Sequence, residues 1–113
     1  LRFAADGLSA EQRRTFLAGV RVARREVAPS IQAAQAGRKE VLRQIAAPTF
    51  DRDALAAALA ATRSADIAVR ARIEASVVDF AESLSPEDRE TLARGLTRSP
   101  LAPSTATPKP KKP

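Results

Sequence analysis

Residues 47–80 read APTFDRDALAAALAATRSADIAVRARIEASVVDF. Pro48 cannot carry on a helix that arrives from its N-terminal side, and Asp51 is placed to cap one that leaves on the other. The five residues Ala47–Asp51 therefore read as a tight turn between two helices. Phe50, just ahead of the cap, is expected to fold back onto Leu55 as a hydrophobic staple. Beyond the turn, Leu55, Thr62, Val69 and Ser76 recur every seven residues. Leu59, Asp66, Ile73 and Phe80 do the same. Two rows at that spacing make a seam along one side of a long helix, and such a seam demands a second long helix beside it. Thr62, Asp66 and Ser76 interrupt the seam with polar atoms.

The second helix comes from upstream. Leu8-Ser9-Ala10-Glu11-Gln12 is a helix start: Ser9 is the cap, Gln12 its capping-box partner, and Leu8 the apolar residue before the cap. Phe16, Val20, Ala23 and Val27 then follow at steps of four, three and four, a helical stripe. Pro29 removes one backbone bond and clashes with the turn before it, so a kink or a break is expected there. The helical pattern resumes through Ile31, Ala34, Val41, Leu42 and Ile45, weakened in the middle by Gly37. Downstream of the long helix, Ser85 caps a short one, with Pro86 at its first position, where a missing N–H costs nothing. From Ser99 the composition shifts to Pro, Ser, Thr, Ala and Lys, which cannot bury enough surface to order itself. The chain divides into a helical domain over 1–98 and a Pro/Lys-rich tail over 99–113, the latter expected to be disordered. The fold class is all-α, a hooked antiparallel hairpin of about four helices.

Composition restricts the chemistry. The 113 residues include 25 Ala but only 10 Leu, 7 Val, 4 Ile and 4 Phe, and there is no Cys, His, Met, Trp or Tyr. No disulfide, thiolate or ordinary zinc site can be built. Nucleophilic catalysis lacks a His base. The acidic groups Asp51/Asp53 and Glu87/Asp88/Glu90 lie at helix starts, where carboxylates complement the helix dipole. Lys39 is an isolated candidate base with no pocket to serve. The chain is not expected to be an enzyme, and no cofactor or metal is expected. A hairpin with so few large side chains would be marginal alone, and burying the seam in a homodimer would support it. No apolar run approaches the roughly 20 residues of a membrane span. The first residue is Leu rather than Met, so a fragment or processed product is expected, with any membrane anchor or signal peptide upstream of residue 1.

Charge is uneven. Residues 1–46 carry nine basic and four acidic side chains, a balance of +5, and residues 47–98 carry seven and nine, a balance of −2. Arg13, Arg14, Arg21, Arg24 and Arg25 make a local basic surface. With neither Tyr nor Trp for stacking and no reader motif, it is read as a solvated face rather than a nucleic-acid site. Asp66 is expected to be solvated or paired with an Arg of the first arm; the functional alternative is that it anchors a basic residue of a partner.

The phrase Leu8-Ser9-Ala10-Glu11-Gln12-Arg13 returns as Leu84-Ser85-Pro86-Glu87-Asp88-Arg89, once before the first long arm and once after the second. This layout, with Leu8, Gln12, Leu84 and Arg89 as its motif residues, resembles the bacterial periplasmic heavy-metal-resistance family, which includes nickel–cobalt resistance sensors and Spy-like, Cpx-pathway chaperones. The resemblance spans residues 3–96. It implies a periplasmic hooked hairpin, frequently dimeric, either free or tethered to the inner membrane. In the family's metal-sensing members a carboxylate, a His and a Met coordinate the ion. By the resemblance those places fall on Val20, Ser76 and Phe80, with a further His near Phe3. Only Ser76 has a donor atom, and a hydroxyl is a poor ligand for nickel or copper. The resemblance thus implies a sensor scaffold without its metal site, which holds or releases a membrane-bound anti-sigma partner in a stress response. The alternative is a Spy-like chaperone for unfolded clients. Phe16, Val20, Arg21, Arg24, Arg25, Asp66, Ser76 and Phe80 are the candidate contact residues. The exposed part of the Phe16/Val20/Phe80 stripe is expected to supply the apolar patch.

Overall fold

The computed structural model describes Leu1 and residues 3–100. Four helices form: α1 over Ala10–Glu26, α2 over Ala28–Ala46, α3 over Arg52–Glu82 and α4 over Pro86–Arg98. Among the described residues there is no strand, and no helix is long and apolar enough to cross a membrane. The body is a thin plate of 58 × 40 × 18 Å with a radius of gyration of 18.0 Å. A compact domain of about 100 residues would have a radius near 13 Å. The chain is all-α and hooked, as its caps and turn imply. Leu101 to the C-terminus, the greater part of the Pro/Lys-rich tail, lies outside the described residues.

Three of the four helices begin where their local chemistry places the start. The Ser9 side chain accepts from the Gln12 N–H while the Gln12 side chain accepts from the Ser9 N–H, each at 3.1 Å, so the capping box is complete. Asp51 accepts from the Ala54 N–H at 3.0 Å and Ser85 from the Asp88 N–H at 3.2 Å. These contacts satisfy donors that a helix start would otherwise leave bare. The interruption expected at Pro29 is a break, two residues ahead of the proline. The break falls at Val27 (φ −101°, ψ 13°), and Pro29 sits in the first turn of α2. A residue-29 N–H would have reached the Arg25 carbonyl in an unbroken helix. The Val27 N–H now donates there as well as to Ala23, so the missing donor leaves no orphan.

The α2–α3 hairpin is packed on small residues. Ala34 of α2 and Ala58 and Ala65 of α3 are buried. A Cβ added at Gly37 would stand 2.1 Å from the Thr62 Oγ1, so the glycine's lack of a side chain is what lets the helices approach. This corrects the expected seam. Leu55, Thr62, Val69 and Ser76 are half-buried, but the second row is turned outward at one end: Leu59 is 47% exposed and Asp66 is exposed. Alanines take their place because close approach leaves no room for Leu59. Phe50 is 62% exposed, so the staple onto Leu55 does not cover it.

The largest core lies at the other end, where α1, α3, α4 and the leading segment meet. Phe16, Val77, Phe80, Leu84 and Leu92 are buried there with Ala4, Ala5 and Leu8. The leading segment is pinned beneath α4. A Cβ at Gly95 would stand 1.7 Å from the Ala4 carbonyl oxygen. Ser99 is buried and its Oγ accepts from the Phe3 N–H at 3.2 Å and from the Leu1 nitrogen. The first residue assigned by composition to the tail is therefore an anchor of the folded part.

Candidate protein-interaction site

Phe16 projects from α1 and Phe80 from α3, and their rings meet with centroids 5.1 Å apart and planes tilted by 58°. Phe16 is 2% exposed and Phe80 8%, so neither supplies a surface patch, contrary to the sequence expectation. A stripe at steps of four and three marks a buried face as readily as a binding face, and here the other arm of the hook covers it. Val20 is half-buried against the same cluster. Ser76 is half-buried, and its hydroxyl donates to the Ile73 carbonyl at 2.7 Å.

Val20 and Phe80, which the resemblance places at metal-ligand positions, thus share one apolar cluster. Val20 and Phe80 carry no donor atom, and Ser76 offers only a neutral hydroxyl oxygen, whose hydrogen is given to its own helix. The residues there do not fit a nickel, cobalt or copper ion, whose sites draw on imidazole, thiolate, thioether or carboxylate. Among the described residues no group of three His, Cys, Asp or Glu side chains stands close enough to hold a metal.

The polar candidates divide into paired and unpaired. Asp66 accepts from the Arg38 guanidinium at 2.8 and 2.9 Å, both side chains about half exposed. This is the partner from the first arm that the sequence allowed for, across the α2–α3 seam. Arg72 of α3 donates to Glu26 at the end of α1 at 2.6 Å. That bond holds the Glu26 carboxyl below its usual range; lost solvation opposes it less strongly, and the Arg72 charge adds a still smaller lowering.

Arg21, Arg24 and Arg25 are exposed, as are Arg13 and Arg14. Among the described residues none of the five has an acidic side chain within ion-pair distance. At 100° per residue all five fall on one side of α1. Of the acids of that helix, Glu26 falls on the other side and Glu11 on the flank, about 40° beyond Arg25. Leu17 lies amid the arginines and is 39% exposed. A shallow depression of about 310 Å³ opens beside it, lined by Phe3, Asp6, Ala10, Arg13, Arg14 and Leu17. The sequence had singled out the arginines but not Leu17 or Phe3. The signal was available in Leu17 following Phe16, since neighbours on a helix face directions about 100° apart and both cannot be buried against one arm.

The motif residues have structural roles. Leu8 and Leu84 are buried in the same cluster. Arg89 donates to the Leu84 carbonyl at 2.8 Å. Gln12 links the two copies of the phrase, donating to Asp88 at 3.0 Å. A second exposed apolar group, Leu42, Ile45, Phe50 and Leu59, belongs to the opposite end of the hairpin.

A search of curated proteins and a search of solved structures each gave no match. The description of one family model, heavy-metal resistance, does match, over residues 1–91, which take in the leading segment, α1, α2, α3 and the opening of α4. Both copies of the repeated phrase and the whole hook fall inside that span, and the chain belongs to the heavy-metal resistance family.

Proposed function

We propose that this chain is a periplasmic protein-recognition domain of its family that has lost the metal ligands and regulates a membrane-bound anti-sigma partner in a stress response. The observation that carries this reading is the apolar cluster at Val20 and Phe80, where a ligand set would be needed. A site without donors responds to no ion, which leaves contact between proteins as the means of signalling. Its working form is a homodimer; the slender shape and the large apolar side chains left at the surface support this. Calorimetric titration with nickel, cobalt, copper and zinc should reveal no site of micromolar affinity or better. A stoichiometric tight ion would overturn the metal-free reading. The same method with the periplasmic segment of an anti-sigma factor from the source organism should give saturable binding, and sedimentation should give twice the chain mass.

One observation favours a second reading. Leu42, Ile45, Phe50 and Leu59 are 67, 60, 62 and 47% exposed. An exposed group of that kind suits weak, promiscuous holding of unfolded clients, as in a Spy-like chaperone. Suppression of aggregation of a denatured client at near-stoichiometric amounts would support it. Failure to suppress, with tight binding to one defined partner, would exclude it.

A further inference from the structure

We propose that the arginine side of α1 is a docking surface for an acidic protein segment that seats one large apolar side chain in the depression beside Leu17. The inference rests on the protein-recognition reading and adds the partner's chemistry and the place it binds. Its first support is charge. Arg13, Arg14, Arg21, Arg24 and Arg25 share one side of the helix with no acid of α1 among them and no ion pair among the described residues. They extend over roughly 18 Å at the rise of an α-helix. Guanidinium groups pair carboxylates in a two-pronged geometry that lysine cannot supply. A row of arginines held in register by a helix is therefore suited to carboxylates that are themselves held in register.

The second support is the apolar centre. Arg13 and Arg14 stand about one turn before Leu17, and Arg21 and Arg24 one to two turns after it. Leu17 and Phe3, 39% and 57% exposed, border the depression. Asp6 is the single acid in its lining, at one edge. The complementary ligand thus has carboxylates on both sides of a central Phe or Leu, with the apolar anchor conferring position and the carboxylates orientation.

A lipid surface fits less well. An interfacial helix needs a continuous apolar face, and this side of α1 offers Leu17 alone among large apolar residues. A nucleic acid would meet the charges but find one aromatic ring, Phe3, for stacking.

The test uses the full chain and a fluorescein-labelled probe peptide of about 15 residues, with a central Phe flanked on each side by Glu at helical spacing. Fluorescence anisotropy should show saturable binding that weakens at least about tenfold in Arg14→Ser/Arg21→Ser and in Leu17→Asp. It should weaken similarly for a peptide with Gln in place of Glu. The substituted side chains are exposed, and unchanged far-ultraviolet dichroism would show that the fold survives. Binding that is absent, indifferent to Glu→Gln, or unchanged by both variants would overturn the proposal. So would preferential binding to phosphatidylglycerol vesicles or to duplex DNA. If the anti-sigma segment binds and the arginine variants bind it equally well, this surface is overturned while protein recognition stands. If that segment and the peptide both fail to bind, both readings fall.

Discussion

Gln12, in the first turn of α1, donates its side-chain N–H to the carboxylate of Asp88, in the first turn of α4, across 3.0 Å and 76 residues of chain. Its side-chain oxygen simultaneously accepts from the Ser9 N–H. The repeated phrase is thus more than two independent helix caps. It brings two helix starts side by side, and the Asp88 carboxylate lies where both macrodipoles are positive.

Gln12→Ala removes the cap partner and the cross-link together. A loss of about 0.5–2 kcal/mol in urea denaturation is expected, the range for helix-cap substitutions. Gln12→Glu keeps an acceptor for Ser9 but turns a carboxylate toward Asp88. At neutral pH it should be destabilised as well, and Asp88→Asn in the same chain should restore part of the loss.

Gly95→Ala should lose about 1–3 kcal/mol through overpacking, because the obstacle is the Ala4 backbone rather than a movable side chain. Limited proteolysis should then cut ahead of Leu8 sooner than in the parent chain. Gly19 is the matched control, since a Cβ there meets nothing within 4 Å. Gly19→Ala should be neutral or stabilise by up to about 1 kcal/mol, the helix-propensity difference.

Gly37→Ala should part α2 from α3, because the added methyl would overlap Thr62. Destabilisation of about 1–3 kcal/mol is expected. Thr62→Ala in the same chain should recover some of it, as the Oγ1 is the nearest obstacle. A double-mutant cycle by thermal denaturation measures the coupling.

Phe16→Ala should cost about 3–5 kcal/mol, the range for emptying a buried aromatic site. Leu17→Ala, one position along, should change stability little, which near- and far-ultraviolet melting would show.

The Glu26–Arg72 contact predicts a pH dependence with a definite sign. The hydrogen bond from Arg72 holds the folded-state Glu26 below its usual value of 4.5. A group depressed in this way stabilises the fold above its unfolded pKa, and that contribution is lost as pH falls through the folded value. Glu26→Gln should therefore lower the urea midpoint near neutral pH, and the difference from the parent chain should shrink below pH 4.5. Glu40, held low by Arg43 and then Gln44, should act in the same direction.

The sequence by itself determined where α1, α3 and α4 start and the order of the helices. Ser9, Asp51 and Ser85 act within a few residues through their own side chains, and Pro48 stops a helix that arrives from its N-terminal side. Such signals need no knowledge of what lies opposite. The resemblance of the repeated phrases to one family was legible for the same reason, since it rests on order and spacing. Tertiary structure alone decided which faces are covered. Ala58 and Leu59 differ by about 100° around α3, and periodicity admitted either; Gly37 settles it by letting α2 come too close for the larger side chain. Phe16 and Phe80 stand on different helices, and only the hook makes them one buried pair. The Val27 break directs α1 toward the far half of α3, where that pairing occurs. The burial of Ala4 beneath Gly95 had no local signal, because small residues say nothing about their neighbours until two backbones meet.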